Sequence, residues 1–466
     1  MKLSILKKSI ICFTLILSLT NVWSQNKLYV YQDTIKKPLI STIEVLGLNV
    51  GVNRFNLLTK TDKELSEVTL ASWKSNLTYG LEWDWDNFGV NFIGHPYQGA
   101  HYYNSARTNG FGFFESAPFT FMGSLTWEMF GETHPPSGND LINTTMGGMF
   151  LGEIMYRVSH LVIDENSFGF ERGLREFIGF VINPMNGFNR LVSGKMKYQG
   201  NHFEYVRPKY DGDFSIATVY LTRGVNIPHV KTSYIIDGAL NYGEPFDERI
   251  SNKKPYDLFS VEGWLRLSKD TLSNRHFSIY GHGNLFFKDI SKQESFNKHG
   301  IGLFQTYDFF NGGLIEIGDM GVSAGLISHF KIGKEFKLKS IILAGPIILG
   351  GSNSEVVDPR KYSDDLSNNR DYIMGPGLQS KIEIELASNK FGDIKFKHHF
   401  WNIFIASGPA GVEHLQGYSF DYELPVFKPF YLGSRYLIYN RNANYNDYDD
   451  INKRIDELRI YANYRF

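Results

Sequence analysis

Strict alternation of apolar and polar residues dominates the C-terminal half of the chain. In the final segment, Leu458, Ile460, Ala462 and Tyr464 share one face of a strand, and mostly polar residues occupy the other face. A strand with one side toward lipid and one side toward a lumen requires this period of two. Roughly ten similar runs follow residue 201, separated by turn-rich stretches such as 439–450, which we interpret as extracellular loops.

The polar faces of these runs carry charges of both signs. If the strands close into a barrel, these side chains point into its lumen. A porin could use them to select solutes, but mixed signs favour an interior network of ion pairs. The predicted lumen charges are Glu262, Arg266, Lys288, Lys381, Glu383, Glu385, Lys395, Lys397 and Arg459.

A different pattern precedes the strands. Residues 74–94 alternate and end in an Asn-Phe-Gly turn, which predicts a first hairpin. Between residues 95 and 195 the period becomes 3.6, which predicts helices over 113–132, 137–164 and 168–182. The sequence therefore predicts a mainly β protein: a transmembrane antiparallel β-barrel of about twelve strands with a helical insert that plugs the lumen or its periplasmic mouth.

The N-terminal residues indicate the compartment. Lys2, Lys7 and Lys8 precede a short apolar run, which predicts a signal peptide over residues 1–24 and secretion to the outer membrane. The predicted organisation continues with a periplasmic segment (25–73), the hairpin (74–94), the helical insert (95–199) and the barrel strands (200–466). Cys12 is the only cysteine, so the mature chain contains no thiol ligand or nucleophile.

Composition agrees with a membrane barrel. Aromatic residues make up 15% of the chain, glycine is abundant at 45 residues, and the net charge is -1. Aromatic girdles and small residues are typical of outer-membrane barrels, and the absence of a basic excess argues against nucleic-acid binding. We expect contacts with outer-membrane lipids and with the barrel assembly machinery, whose C-terminal signal Tyr464 and Phe466 resemble. The oligomeric state stays open.

Three motifs in the helical region resemble a known family. They are Asn91 to Gly110 (NFIGHPYQGAHYYNSARTNG), Trp127 to Glu132 (WEMFGE) and Ser137 to Gly148 (SGNDLINTTMGG). The family is a group of outer-membrane-associated bacterial proteins of unknown function, and the resemblance covers about residues 38–200. It supports the outer membrane and implies no activity or substrate.

The same helices carry the groups that chemistry would need. A hydrolase could use His95 and Ser116, or Ser124, with the Glu128/Glu132 pair, which shares a helix face. No nucleophile elbow or zincin motif supports this hypothesis, and internal pairing of buried polar groups is favoured. The remaining polar cluster comprises Asn91, Tyr97, Arg107, Glu115, Asp140, Asn143, Glu153 and Arg157.

Neither a metal nor a cofactor is predicted, because His95 and His101 lie six residues apart without ligand spacing. Arg172 and Arg175 could grip a lipid phosphate, although solvation is favoured. Whether the chain is an enzyme is open. The first hypothesis is a structural or transport-related barrel closed by the insert. The alternatives are a lipid-modifying hydrolase and a surface receptor or adhesin that acts through residues 439–450.

Overall fold

The computed structural model describes nearly all of the helical and barrel regions. The described residues are 35–60, 63–84, 86–197, 208–223, 233–250, 252–267, 276–292, 295–354 and 371–466. In addition, Lys27–Leu28 pairs with Tyr205–Val206 in a short antiparallel ladder. The predicted signal peptide lies outside the described residues.

Helices form the N-terminal part of the described chain. They are α1 (Pro38–Thr59), α2 (Lys63–Ser66), α3 (Leu70–Tyr79), α4 (His95–Arg107), α5 (Phe113–Phe130), α6 (Gly138–Ile142), α7 (Gly148–Val162), α8 (Gly169–Ile182) and α9 (Pro184–Val192). π-Helical turns at Val90–Gly94 and Asn143–Gly147 lead into α4 and α7, and a 3-10 turn at Lys195–Lys197 follows α9. The Ser137 hydroxyl caps α6 by accepting from the Asp140 amide.

The predicted hairpin over residues 74–94 is wrong. Thr69 and Ser72 form a reciprocal capping box that starts α3, so Leu77 and Tyr79 lie on a helix. The boundary at residue 95 is also too late, because α1 already packs in the helical domain. Its Asn49 side chain donates to the Gly123 carbonyl of α5.

The remaining chain forms a closed antiparallel barrel of twelve strands. They are β1 (Tyr210–Arg223), β2 (Tyr234–Tyr242), β3 (Phe259–Leu267), β4 (Phe277–Asp289), β5 (Lys298–Asn311), β6 (Glu316–Ile332), β7 (Phe336–Asn353), β8 (Tyr372–Ser388), β9 (Gly392–Phe404), β10 (Gly411–Phe427), β11 (Phe430–Tyr445) and β12 (Ile451–Arg465). Each strand pairs with its sequence neighbours, and β12 closes the barrel against β1. The predicted barrel and strand number are confirmed.

Alternation along each strand separates a lumen face from an outer face. Along β12, Glu457, Arg459 and Tyr461 are buried in the lumen, whereas Ile460 is exposed on the outside. A bulge between Asn284 and Phe286 reverses the faces at the end of β4, because it adds one residue to that strand. The placement of Lys288 in the lumen is therefore wrong, and Phe287 takes an interior position among Phe304, Ile327 and Leu343.

The two ends of the barrel differ. At one end, which we call the turn end, the barrel begins and finishes at Tyr210 and Phe466, and the connections 333–335, 389–391 and 428–429 are tight. The opposite end is the loop end. Most of the predicted extracellular loop over residues 439–450 belongs to β11, which leaves only residues 446–450 as the connection to β12.

Strand side chains close the lumen near the loop end. The closing layer is apolar and includes Phe310, Ile315, Ile317, Ile347, Ile373, Ile403 and Leu415. Below it lies a layer of buried ion pairs, in which Lys381 pairs with Asp308 and Arg435 pairs with Asp237 and Asp421. A charged cavity of about 240 Å³ lies among these groups. The favoured interpretation of an interior ion-pair network agrees with this structure.

The helices lie against the outside of the barrel. On the outer face of β5, Ile301 and Leu303 are 44% and 47% exposed, whereas Gln305, Tyr307 and Phe309 are each 1% exposed. The difference arises because the helical domain covers the latter three. The Tyr307 hydroxyl donates to the Phe92 carbonyl, and Gln305 donates to the Met146 carbonyl. In the described chain, the lumen is thus closed by the barrel itself, and the helices do not supply the closure.

Glycines on the outer wall make this contact close. An added Cβ at Gly318 or Gly351 would lie within 3 Å of the Phe92 ring, and one at Gly281 would meet the Phe150 ring. Phe150 also stacks on Tyr307 with ring centroids 5.1 Å apart. The aromatic rings of the helical domain therefore pack directly against the backbone of the barrel wall at these glycines. This contact holds the helical domain against β4–β7.

Polarity is reversed in several of the helices. The buried face of α8 contains Arg172, Arg175 and Glu176, whereas Phe170 and Phe177 are exposed. α1 likewise buries Ser41, Asn49 and Asn53 and exposes a row of apolar residues. That row comprises Leu39, Ile40, Ile43, Leu46, Val50, Phe55 and Leu58. A helix of a water-soluble domain shows the opposite arrangement.

Candidate functional site

The segment that precedes α4 positions a cluster of polar side chains. Glu82 forms backbone hydrogen bonds with Pro136 and Gly138, which holds residues 81–84 beside the start of α6. The π-turn Val90–Gly94 then leads directly to His95 at the beginning of α4. Such π-turns are frequent at functional sites because they displace side chains from the regular helical register.

Three asparagines hold the cluster together. Asn139 donates to Asp84 Oδ1 at 2.6 Å, to Asn91 Oδ1 at 2.7 Å and to Asp140 Oδ1 at 2.9 Å. Asn91 donates in turn to both Asp84 oxygens and to the Tyr372 hydroxyl of β8. Asn143 donates to Asn91 Oδ1 at 3.3 Å. A connected amide network of this kind fixes the carboxylates and ties the site to the barrel wall.

His95 lies at the centre of the cluster and is 7% exposed. Its Nε2 lies 3.5 Å from Asp86 Oδ2 and 3.4 Å from Asp140 Oδ1, and its Nδ1 lies 3.3 Å from the Thr144 hydroxyl. Burial opposes a positive charge on the imidazole, but the negative charges of Asp140 and Asp86 outweigh it and raise the pKa of His95 to about 10.

Two further carboxyls complete the site from α5 and its C-terminal end. Glu128 accepts a hydrogen bond from the Ser137 amide at 2.8 Å. Burial, reinforced by neighbouring acidic groups, raises the pKa of Glu128 and Glu132 well above the ordinary range. Burial also raises the pKa of Asp140 to about 7, although His95 opposes this shift. The site therefore brings an imidazole together with carboxyl groups whose pKa values are raised by burial, which is a combination suited to proton transfer.

A second polar cluster lies elsewhere in the helical domain. Glu153 is fully buried and accepts from Arg107 at 2.8 Å, from Arg157 at 2.8 Å and from the Tyr103 hydroxyl at 2.7 Å. Arg157 also pairs with Asp257 in the connection between β2 and β3. Glu153 and Arg157 thus form an ion pair on α7, and this cluster joins the helices to the barrel.

The structure does not assemble the predicted serine hydrolase triad. The Ser116 hydroxyl donates to the Gly112 carbonyl one turn earlier, and Ser124 lies 3.5 Å from the Asp140 carbonyl. Neither serine bonds to His95, whose Nδ1 faces Thr144 instead. The spacing on α5 places both serines in the core, where backbone carbonyls satisfy them.

Other predicted residues lie outside the His95 cluster. Tyr97 is half exposed and packs edge-on against His101. Glu115 caps α5 at Gly112 and pairs with Lys36 at the surface. Among the candidate residues named from the sequence, the structure brings the following together in this cluster: Asn91, His95, Glu128, Glu132, Asp140 and Asn143.

Arg172 and Arg175 are buried and form hydrogen bonds within the helical domain. Arg172 donates to Glu176 and to the Asp164 carbonyl, and Arg175 donates to the Val162 carbonyl. Both guanidinium groups are buried because α8 turns its polar face inward. The two interpretations of these arginines from the sequence are therefore wrong.

Sequence reasoning missed Asp84, Asp86 and Asn139. The alternation of Leu81, Trp83 and Trp85 predicted one strand of the first hairpin, which assigned no chemical role to Asp84 and Asp86. Two aspartates two residues apart, shortly before the motif that contains His95, were the available signal. Asp84 and Asp86 both precede α4, and one carboxylate oxygen of each lies within 4.8 Å of a His95 ring nitrogen.

Comparison with known proteins identifies the helical region. Residues 80–185 match a family model described as Domain of unknown function (DUF3943). This part of the helical region is therefore similar to that family. The resemblance predicted from its three motifs is confirmed, and the match contains the whole His95 cluster, including Asp84 and Asp86. No curated protein matches the chain.

Similar solved structures align with part of the chain at low similarity. The outer membrane channel DcaP of Acinetobacter baumannii shares 8% identity, with 55% of this chain and 96% of that chain covered and a TM-score of 0.22. The CymD monoaromatic hydrocarbon channel shares 8% identity, with 56% and 88% covered and a TM-score of 0.24. The β domain of the Bordetella autotransporter BrkA shares 11% identity, with 55% and 99% covered and a TM-score of 0.23.

Proposed function

We propose that this protein is an integral outer-membrane protein whose barrel anchors a lipid-facing helical domain, and that this domain acts on a membrane-borne molecule at the His95 cluster. The reversed polarity of the helices carries the proposal. Apolar side chains that cover the outside of a domain are stable in contact with lipid, whereas polar groups remain paired inside.

The outer surface of the barrel supports a membrane location. Its exposed side chains form an apolar belt, as expected of a barrel that faces hydrocarbon. The belt includes Ile216, Leu265, Ile301, Leu303, Leu326, Ile342, Leu378, Ile384, Ile394, Phe404, Phe420, Leu424, Leu432 and Ile460. Insertion by the barrel assembly machinery, through the strand that ends in Tyr464 and Phe466, belongs to the same proposal.

The exposed apolar face of the helices continues this belt. The helices cover outward-facing residues of β4–β8, so the outer surface of the helices faces the same environment as the outer surface of the barrel. Among the described residues, no helix is long and apolar enough to cross a membrane. We therefore place the helices beside the wall with their apolar faces in lipid, supported by the strands that cross it.

A transport role through the lumen is less well supported. The apolar layer at the loop end and the ion pairs beneath it occupy the lumen of the described barrel. The barrel then functions as a scaffold, and the His95 cluster is the better candidate for chemistry. Asp86 is 48% exposed, so the cluster opens to the outside of the domain.

Site-directed spin labelling tests the lipid contact. We would introduce single cysteines at Phe177 and Leu191 on the helices, with Leu424 as the belt control and Asn389 in a tight turn as the aqueous control. Labels at the helical positions should resemble Leu424 in their accessibility to oxygen and to a polar nickel reagent. Accessibility like that of Asn389 would contradict the proposal.

Lipid mass spectrometry tests the activity. Outer-membrane lipids would be compared between deletion strains that express wild type, His95→Gln or His134→Gln. His134 is exposed and lies outside the cluster, so His134→Gln is the same substitution at a control position. We expect a lipid species that changes with wild type and His134→Gln but not with His95→Gln. Identical spectra from all three folded proteins would exclude lipid modification and leave a structural role.

A further inference from the structure

Three metal-ligating side chains converge at the edge of the helical domain. One ligand atom from each of Asp84, Asp86 and His95 lies within 4.8 Å of the others. Asp140 adjoins the group, with its Oδ1 3.4 Å from His95 Nε2. Four side chains from three separate segments thus surround one small volume.

His95 supplies an independent indication of a ligand. Its side chain is 8% exposed, and its Nε2 lies 3.4–3.5 Å from the two carboxylates without forming a hydrogen bond of regular geometry to either. A buried polar atom without a partner is costly unless something binds it. The contact of Nδ1 with Thr144 fixes the ring so that Nε2 faces the carboxylates, as outer partners do for histidines that bind metals.

The carboxylates are also held in place. Asn139 and Asn91 both donate to Asp84, and the Asp86 amide donates to Asp84 Oδ2 at 3.1 Å. Such bonds orient a ligand and prevent its collapse onto its neighbours. Glu128 and Glu132 add further acidic groups, and among the described residues neither forms an ion pair with lysine or arginine.

We propose that Asp84, Asp86 and His95 bind a divalent transition-metal ion, with Asp140 beside it. One imidazole nitrogen and two or three carboxylate oxygens suit Zn²⁺, Mn²⁺ or Fe²⁺ better than Mg²⁺ or Ca²⁺, which prefer oxygen ligands alone. Because Asp86 is half exposed, a coordination position remains open to water or to a substrate group. This inference goes beyond the proposed function and does not depend on the position of the domain in lipid.

The test is direct metal binding by the full-length protein in detergent. After treatment with a chelator, wild type, Asp86→Asn, Asp84→Asn and Glu82→Gln would be titrated with Mn²⁺ and Zn²⁺ by calorimetry. Glu82 is the matched control, since it is an exposed acid in the same segment whose charge lies outside the group. Heat-dependent migration of the barrel on gels confirms folding of each variant.

We expect wild type and Glu82→Gln to bind about one ion per chain. Asp86→Asn and Asp84→Asn should lose at least about tenfold in affinity, and Asn139→Ala should lose roughly 10- to 100-fold through the orientation of Asp84. Absence of saturable binding in wild type, or equal affinity in all variants, would overturn the proposal. If Asp84→Asn fails to fold, pulsed EPR of Mn²⁺-loaded wild type decides: coupling to a histidine nitrogen supports the site, and its absence overturns it.

Discussion

The crossing of α4 and α7 beside the His95 cluster leaves no space for a methyl group at Gly99. A Cβ at this position would lie 1.9 Å from the Thr144 carbonyl oxygen and 3.0 Å from Gly148 Cα. An ordinary carbon–oxygen contact is roughly 3.3 Å, so the helices would have to separate by about 1.4 Å in Gly99→Ala. Because the obstructing atoms belong to the backbone, no side-chain rotation relieves the contact.

The expected cost follows from two opposing terms. Overpacking of a tight core costs about 1–3 kcal/mol, and a clash with backbone falls at the upper end of that range. Alanine in a helix gains about 1 kcal/mol over glycine. Gly99→Ala should therefore destabilise the helical domain by about 2 kcal/mol. Gly47→Ala on α1 and Gly173→Ala on α8 are matched controls with nothing within 4 Å, and each should be neutral or stabilising by up to about 1 kcal/mol.

Urea unfolding in detergent, followed by helical circular dichroism, measures these differences while the barrel stays folded. Gly148→Ala should behave like Gly99→Ala, because its Cβ would lie 2.5 Å from the Gly99 carbonyl carbon. The double variant should cost less than the sum of the two, since one displacement of the helices relieves both contacts. A Gly99→Ala protein as stable as the Gly47→Ala control would refute the close crossing.

Three further predictions follow from buried charges and from the position of the helices. Glu153→Gln should destabilise the helical domain by about 3 kcal/mol, because Arg107 and Arg157 both lose the negative charge with which they pair. Urea unfolding measures this loss, and a change below about 1 kcal/mol would contradict the prediction. Lys381→Met should lower the heat stability of the barrel by a similar amount, about 3 kcal/mol, by leaving Asp308 unpaired, and gel migration after heating checks this. Deletion of residues 95–195 should leave the single-channel conductance of the barrel unchanged in planar bilayers, since strand side chains close the lumen; a large increase would show that the helices occlude a pore.

The barrel could be predicted from the sequence because its information is local. A strand between lipid and a lumen must alternate between apolar and polar side chains. Ile382 and Ile384, with Glu383 between them, therefore show which face of the strand is which without knowledge of the neighbouring strands. The same alternation marks the last strand, β12. The pattern failed where the count of residues changed: the bulge before Phe286 moved Lys288 outside, and no local signal marks such an insertion.

The position of the helices was decided by tertiary structure alone. Apolar and polar faces on α1 and α8 are visible in the sequence, but the pattern does not say which face points inward. The answer depends on the surroundings, and here the outer wall of the barrel and its glycines, such as Gly318, accept the aromatic side of the domain. A plug was the expectation because a helical insert in a barrel protein suggests a filled lumen.

The candidate site divides in the same way. His95, Asp140 and the Glu128/Glu132 pair were identifiable from residue type and helical spacing, since neighbours on one helix are fixed by its period. Asp84 and Asn139 were not identifiable, because they belong to different segments of the chain. Only the fold brings the Asn139 amide nitrogen within 2.6 Å of Asp84 Oδ1. The sequence alone determined the chemistry available and the strands that form the barrel. Which groups meet, and on which side of the barrel wall, depended on contacts between segments far apart in the chain, and no local period encodes these.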